Sequence, residues 1–199
     1  MRLSGRCAKG EEMSRTRRIL IAVASVAVAA SVAAPASAAE DTFTDKEGDL
    51  RGGFDIQSVR VVNTGKWIKI RTHHRNLRYG DMAPGGGVSV YIDTARRRNG
   101  PEFRFAGPVG FDGDYAILRT RRWQTFGGPL NCNLRFGVNY KRDVVRFAVT
   151  RRCLDRIYDH RVGKIRVAVQ AAQNRAVGGQ PRIDWAPKRR TLYPTVPRG

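Results

Sequence analysis

Through the body of the chain the apolar residues recur at every second position. They alternate at Ile68 and Ile70; at Val88, Val90 and Ile92; at Phe103 and Phe105; at Tyr115 and Ile117; at Leu134, Phe136, Val138 and Tyr140; at Val145, Phe147 and Val149; and at Ile165, Val167, Val169 and Ala171. A period of two is that of a strand with one buried face. With residues 54–62 as a first strand, about eight strands are predicted. Turn chemistry separates them: Asn63-Thr64-Gly65, Ala83-Pro84-Gly85-Gly86-Gly87, Arg98-Asn99-Gly100-Pro101, Asp112-Gly113 and Gly127-Gly128-Pro129. No long window between Asp41 and Arg182 carries a sustained helical stripe. The expected class is all-β, a single jelly-roll-like β-sandwich of about eight strands.

One hairpin can be registered from these positions. If the chain turns through a four-residue loop over 141–144, Tyr140 faces Val145, Val138 faces Phe147, Phe136 faces Val149 and Leu134 faces Arg151. Apolar residues then meet apolar residues, as cross-strand pairing favours. The same register sets Cys132 opposite Cys153, about 4.5–5.5 Å apart at Cα, a separation a disulfide spans. An oxidising compartment would close that bond. Closing a loop of roughly 20 residues contributes on the order of 3 kcal/mol. Neither cysteine lies in a C-x-x-C or a nucleophile motif, so a metal or catalytic role has no support.

Upstream the pattern changes. Arg15, Arg17 and Arg18 precede sixteen uncharged residues from Ile19 to Ala34, which run into Ala36-Ser37-Ala38. That order of charge, apolar run and small residues is that of a secretory signal peptide. The expected organisation is residues 1–38 as a removed signal peptide, 39–186 as the sandwich domain, and 187–199 as a basic, Pro-containing tail. No later stretch approaches the roughly 20 apolar residues of a membrane span. The expected product is therefore extracellular and monomeric, with no membrane span after cleavage.

Charge narrows the partners. Of 37 basic and 17 acidic residues, the first 38 positions hold six and two, which leaves 31 against 15 and a net charge of +16. Twenty-five of those 31 are Arg. The excess reads either as recognition of carboxylate, phosphate or sulfate by a planar fork or as coding in a GC-rich genome, since the arginines are scattered. Polyanions outside a cell are wall polymers, acidic polysaccharides and released DNA, so a salt-sensitive attachment to such material is expected, without specific nucleic-acid recognition.

Candidate chemistry is sparse. On the strand carrying Ile68 and Ile70, the residues Trp67, Lys69 and Arg71 take the other face and form a ligand-binding candidate of one aromatic plate among cations. Asp45, Glu47, Asp49 and Asp55 group around Gly48 and could surround a structural calcium ion, or could form a charged turn. The spacing is not that of an EF-hand, and no other cofactor is expected. Asp93, Asp112 and Asp114 sit at loop edges, where a carboxylate pair would suit a glycosidase. His73 and His74 are adjacent on a strand and should point to opposite faces; His160 stands near Asp159. No catalytic site is assigned, for no G-x-S-x-G, H-E-x-x-H or glycine-rich phosphate loop is present.

The opening Asp45-x-x-Gly48-Asp49, followed by Phe54-Asp55-Ile56-x-x-Val59-x-Val61, resembles the start of carbohydrate-binding family 9-like (DOMON-like) β-sandwich modules. Residues 45–198, with Tyr91-Ile92-Asp93-Thr94, Gly100-Pro101-Glu102-Phe103, Arg151-Arg152-Cys153-Leu154 and Asp184-Trp185-Ala186-Pro187, are similar to uncharacterised secreted proteins of high-GC Gram-positive bacteria. The resemblance implies a sandwich with one disulfide and brings no catalytic residues. The expected function is a non-catalytic module that binds cell-envelope or extracellular polyanionic glycans. The alternatives are a secreted hydrolase using loop carboxylates and a secreted protein-interaction or inhibitor domain.

Overall fold

The computed structural model describes residues 38–46, 48, 54–79, 86–94, 99–110, 113–158, 161–173 and 182–199. The expected signal peptide but for Ala38, and Glu47, Asp49, Asp112, Asp159 and His160, lie outside them. The described residues form two antiparallel sheets. One runs in the order β1 (Ala39–Thr44), β2 (Ile56–Asn63), β3 (Trp67–His74), β9 (Val144–Thr150), β8 (Leu134–Asn139). The other runs β11 (Arg182–Ala186), β10 (Lys164–Gln173), β4 (Gly87–Asp93), β5 (Phe103–Pro108), β6 (Ala116–Arg121), β7 (Gln124–Phe126), with β12 (Val196–Pro197) also paired to β10. The described residues are all-β apart from one α-helix, α1 (Arg151–Tyr158), and a short 3-10 turn at Tyr140–Arg142.

The alternating apolar residues face inward from both sheets. Val59, Val61, Ile68, Ile70, Val145, Phe147 and Val149 meet Val88, Val90, Ile92, Phe103, Phe105, Val167 and Val169 in one buried cluster. Phe105 and Phe147 join the two layers edge to face, with ring centroids 5.0 Å apart. Phe136 lies against β5 where Gly107 has no side chain: a Cβ there would stand 2.4 Å from the ring.

Three details differ from the expectation. All eight predicted strands form, but β1, β7, β11 and β12 raise the count among the described residues to twelve. Consecutive strands also stay within a sheet, as β1–β2–β3 and β4–β5–β6–β7, rather than alternating between sheets as in a jelly roll.

The β8–β9 register is two residues from the expected one. Val138 pairs with Val145, Phe136 with Phe147 and Leu134 with Val149, because the connection is the 3-10 turn over Tyr140–Arg142 closed by Asp143 in the left-handed region (φ 53°). A shift of two leaves every side chain on its expected face. The Cys132–Cys153 disulfide forms all the same, with Cα atoms 5.5 Å apart. Cys153 reaches it from α1, not from a strand facing Cys132.

The tail is a strap across the sandwich. Tyr193 N–H donates to Val167 O at 2.8 Å, Gly199 N–H to Asn63 O at 2.9 Å, and Asn63 Nδ2 donates to Val196 O and Pro197 O. Phe43 of β1 stacks on Tyr193, with ring centroids 4.5 Å apart.

Candidate functional site

Strand alternation that buries Ile68 and Ile70 turns Trp67, Lys69 and Arg71 to the outer face of the five-stranded sheet, where Lys69 and Arg71 are exposed and Trp67 is half-buried. The same alternation on the neighbouring strands turns out Arg60 of β2, Arg146 of β9 and Arg135 of β8. Register then sets them in rows. Arg60 pairs with Arg71 across β2–β3, and Arg71 pairs with Arg146 across β3–β9, so three arginines stand in file across adjacent strands. With strands about 4.8 Å apart, the file spans roughly 10 Å. One row along, Val62 pairs with Lys69, Lys69 with Ala148, and Ala148 with Arg135. The file ends at Gly137, opposite Arg146, where nothing lies within 4 Å of a would-be Cβ, so its end is open.

These residues line a shallow groove of about 690 Å³. Among the described residues one carboxylate reaches it: Glu40 of β1 accepts from Arg60 Nη2 at 2.8 Å and lies 2.6 Å from its Nε. The Arg60 hydrogen bond holds the Glu40 carboxyl below its ordinary range, with Arg60 and Arg71 charges adding to the effect. Among the described residues no carboxylate pairs with Lys69, Arg71, Arg135 or Arg146. The Arg135 guanidinium carbon lies 4.8 Å from the Trp67 ring centroid. Trp67 thus carries a cation on its ring, a contact that holds Arg135 over the groove.

Comparison of the chain with protein-family models, curated proteins and solved structures returned no match.

The carboxylates sort differently. Asp55 is buried and both its oxygens accept from Gly48 N–H, at 3.2 and 3.0 Å. Asp45 follows β1, and its N–H donates to Gln57 O. Among the described residues no three His, Cys, Asp or Glu side chains converge on one point; of the four calcium candidates, Glu47 and Asp49 are outside that set.

Asp114 is exposed, whereas Asp93 is 2% exposed and ion-paired to Arg166, whose Nε donates to it at 2.6 Å. Its neighbour is Glu102, also 2% exposed, which sequence reading missed. Ile92 pairs with Phe103, so Asp93 and Glu102 are the next positions of the same hairpin, and that register was the available signal. Thr94 N–H and Oγ donate to Glu102 Oε2 at 2.7 and 3.2 Å. Burial pushes the Glu102 carboxyl up to about 7, and Asp93 adds to the rise. Two carboxylates sealed to this degree suit a structural lock better than an acid–base pair that must touch substrate.

His73 is exposed beside Gln57, at 3.1 Å from its Oε1, while His74 is buried between Thr72 Oγ1 (2.7 Å) and Phe54 O (3.3 Å). They point to opposite faces of β3. Burial drives His74 down to about 4.

Proposed function

We propose that this protein is a non-catalytic binding module that holds an extracellular polyanionic glycan on the outer face of the five-stranded sheet. The file Arg60–Arg71–Arg146 carries the reading. Like charges directly opposed across strands destabilise a sheet, and Arg71 and Arg146 have no carboxylate partner among the described residues. A ligand with several carboxylates, phosphates or sulfates would supply the missing charge, since the arginine fork suits each of these groups. Lys69 and Arg135 flank the file, and Trp67 positions Arg135. The resemblance of Asp45-x-x-Gly48-Asp49 and the strand after it to carbohydrate-binding modules agrees with this reading, and so does the signal-like leader.

The experiment is retention of the folded protein on immobilised heparin and on polygalacturonate, as a function of salt. The expected result is retention on both, lost steeply as salt rises, and lost at low salt in the Arg71→Glu, Arg146→Glu double variant. Equal retention of that variant would overturn the reading. Turnover of the glycan would replace it with the hydrolase, and a salt-insensitive stoichiometric complex with a secreted protease would replace it with the inhibitor.

A further inference from the structure

The opposite sheet carries a second, chemically different surface. On its outer face Tyr91 of β4 lies with Trp185 of β11 stacked on it, with ring centroids 5.4 Å apart and planes at 21°. Trp123 closes the group at 5.2 Å from Tyr91 and 5.8 Å from Trp185, steeply tilted to the latter. The three aromatics wall a cleft of about 380 Å³, with Gln170, Arg189 and Arg190 among the other lining residues. The Tyr91 hydroxyl donates to Gln170 Oε1 at 3.3 Å. Among the described residues no carboxylate lines the cleft. Arg104, on the neighbouring strand, is held by Ser89 Oγ through Nε (3.0 Å) and Nη2 (2.9 Å), with its guanidinium carbon 5.8 Å from the Tyr91 centroid.

The backbone is strained where it forms this cleft. Trp123 is the second residue of a two-residue turn between β6 and β7, and Arg122 and Trp123 both have positive φ, at 51° and 71°. That turn shape belongs to Asn-Gly, not to Arg-Trp. Gly100 (φ 87°) makes room for the indole, since a Cβ there would lie 3.1 Å from Trp123 Cδ1 and Nε1. Arg190 is also left-handed, at φ 57°. Of five such non-glycine residues among those described, three are at this cleft or its supporting turn. Strain of this kind persists where surrounding structure enforces it, and it gathers at ligand sites.

We propose that this cleft binds a single acidic sugar ring, a pyranose bearing a carboxylate. The half-buried indoles of Trp123 and Trp185, backed by the buried Tyr91, present flat apolar area to the C–H face of a pyranose, Gln170, held by the Tyr91 hydroxyl, meets a ring hydroxyl, and Arg189 and Arg190 take the carboxylate. The volume is that of a small-ligand site and not of a chain-long groove. The site stands apart from the arginine file, on the other face of the sandwich.

The test is tryptophan emission of the Trp67→Phe protein, in which both remaining indoles are in the cleft. Titration with glucuronate at constant ionic strength is expected to give a saturable change with half-saturation around millimolar, as befits one small ring, and glucose is expected to give none. An Arg189→Gln, Arg190→Gln double variant, both positions being exposed, should weaken glucuronate at least tenfold with unaltered thermal unfolding. The Arg71→Glu, Arg146→Glu variant should bind glucuronate unchanged even if it has lost heparin. No saturable change at tens of millimolar would overturn the proposal. So would equal binding by the Arg189, Arg190 variant, or tighter binding of adenosine monophosphate than of glucuronate.

Discussion

Arg71 on β3 stands directly opposite Arg146 on β9, two like charges on one face of a sheet with no acidic residue between them among those described. An opposed pair of this kind costs a few tenths to about 1 kcal/mol at low ionic strength. Arg146→Thr should therefore stabilise the free protein by about that amount in low salt. The gain should fade as salt screens the face. Urea unfolding of both proteins at low and high salt checks it; a loss of stability, or a gain indifferent to salt, would show that the arginines do not strain the sheet.

Glu102 and His74 oppose each other in their response to pH. The Glu102 carboxyl is raised by burial from about 4.5 to about 7, so its contribution is full below the unfolded value and is lost as pH rises through 7. His74 is lowered by burial from 6.5 to about 4, so its contribution is full above 6.5 and is lost as pH falls through 4. Between about pH 4.5 and 6.5 the two slopes have opposite signs. Glu102→Gln, which imitates the protonated carboxyl, should remove the falling slope and make stability rise more steeply with pH than in the parent. At pH 8 it should be more stable than the parent by on the order of 1–3 kcal/mol. Thermal unfolding from pH 4.5 to 8 decides this, and curves that stay parallel would show that Glu102 is ionised in the fold at all these pH values.

Much of this architecture is legible in the chain, and the gaps have physical causes. Period-two patterning marks every strand long enough to bury three or more alternate side chains. It passes over β1, where Phe43 is the one large apolar residue, and β7, β11 and β12, which are too short to show a period. Helix α1 escapes for the same reason: eight residues are fewer than a helical window needs. The outward face of Trp67, Lys69 and Arg71 follows from alternation alone. Arg60, Arg135 and Arg146 are equally outward by alternation, but that β2 and β9 flank β3 is a fact of topology. The hairpin register is off by two because one turn residue, Asp143, takes a left-handed conformation that pattern does not reveal. The face assignments and the cysteine pairing tolerate that error.

Gly107 and Phe136 make contact where the two sheets meet. A methyl group at Gly107 would stand 2.4 Å from Phe136 Cε2. The ring is held between Phe147 (5.2 Å) and Tyr115 (5.5 Å), so it has little room to yield. Gly107→Ala should destabilise by about 1–3 kcal/mol through overpacking. Phe136→Leu in the same chain should recover part of that loss, and the coupling in a double-mutant cycle measured by urea unfolding tests the contact. Strictly additive effects would refute it.

Arg151 is 1% exposed, and its guanidinium donates to three acceptors in two segments: Nε to Thr64 O at 2.9 Å, Nη1 to Val162 O, and Nη2 to Asn63 Oδ1. Asn63 in turn holds Val196 O and Pro197 O of the tail, so this one fork ties the β2–β3 turn to the segment after α1 and, through Asn63, to the strap. Burial lowers its pKa, with the nearby charge of Arg198 acting in the same direction. Arg151→Lys keeps the charge and loses the fork, leaving at least one buried acceptor unmet, and should cost on the order of 1–3 kcal/mol. Because Asn63 then loses its anchor, the amide of Gly199, which donates to Asn63 O, should exchange with solvent faster relative to core amides such as that of Val90. Native-state hydrogen exchange reads both at once. A uniform loss of protection would make Arg151 a general stabiliser of the fold, whereas selective loss at the C-terminal strap is what its bonding to Asn63 requires.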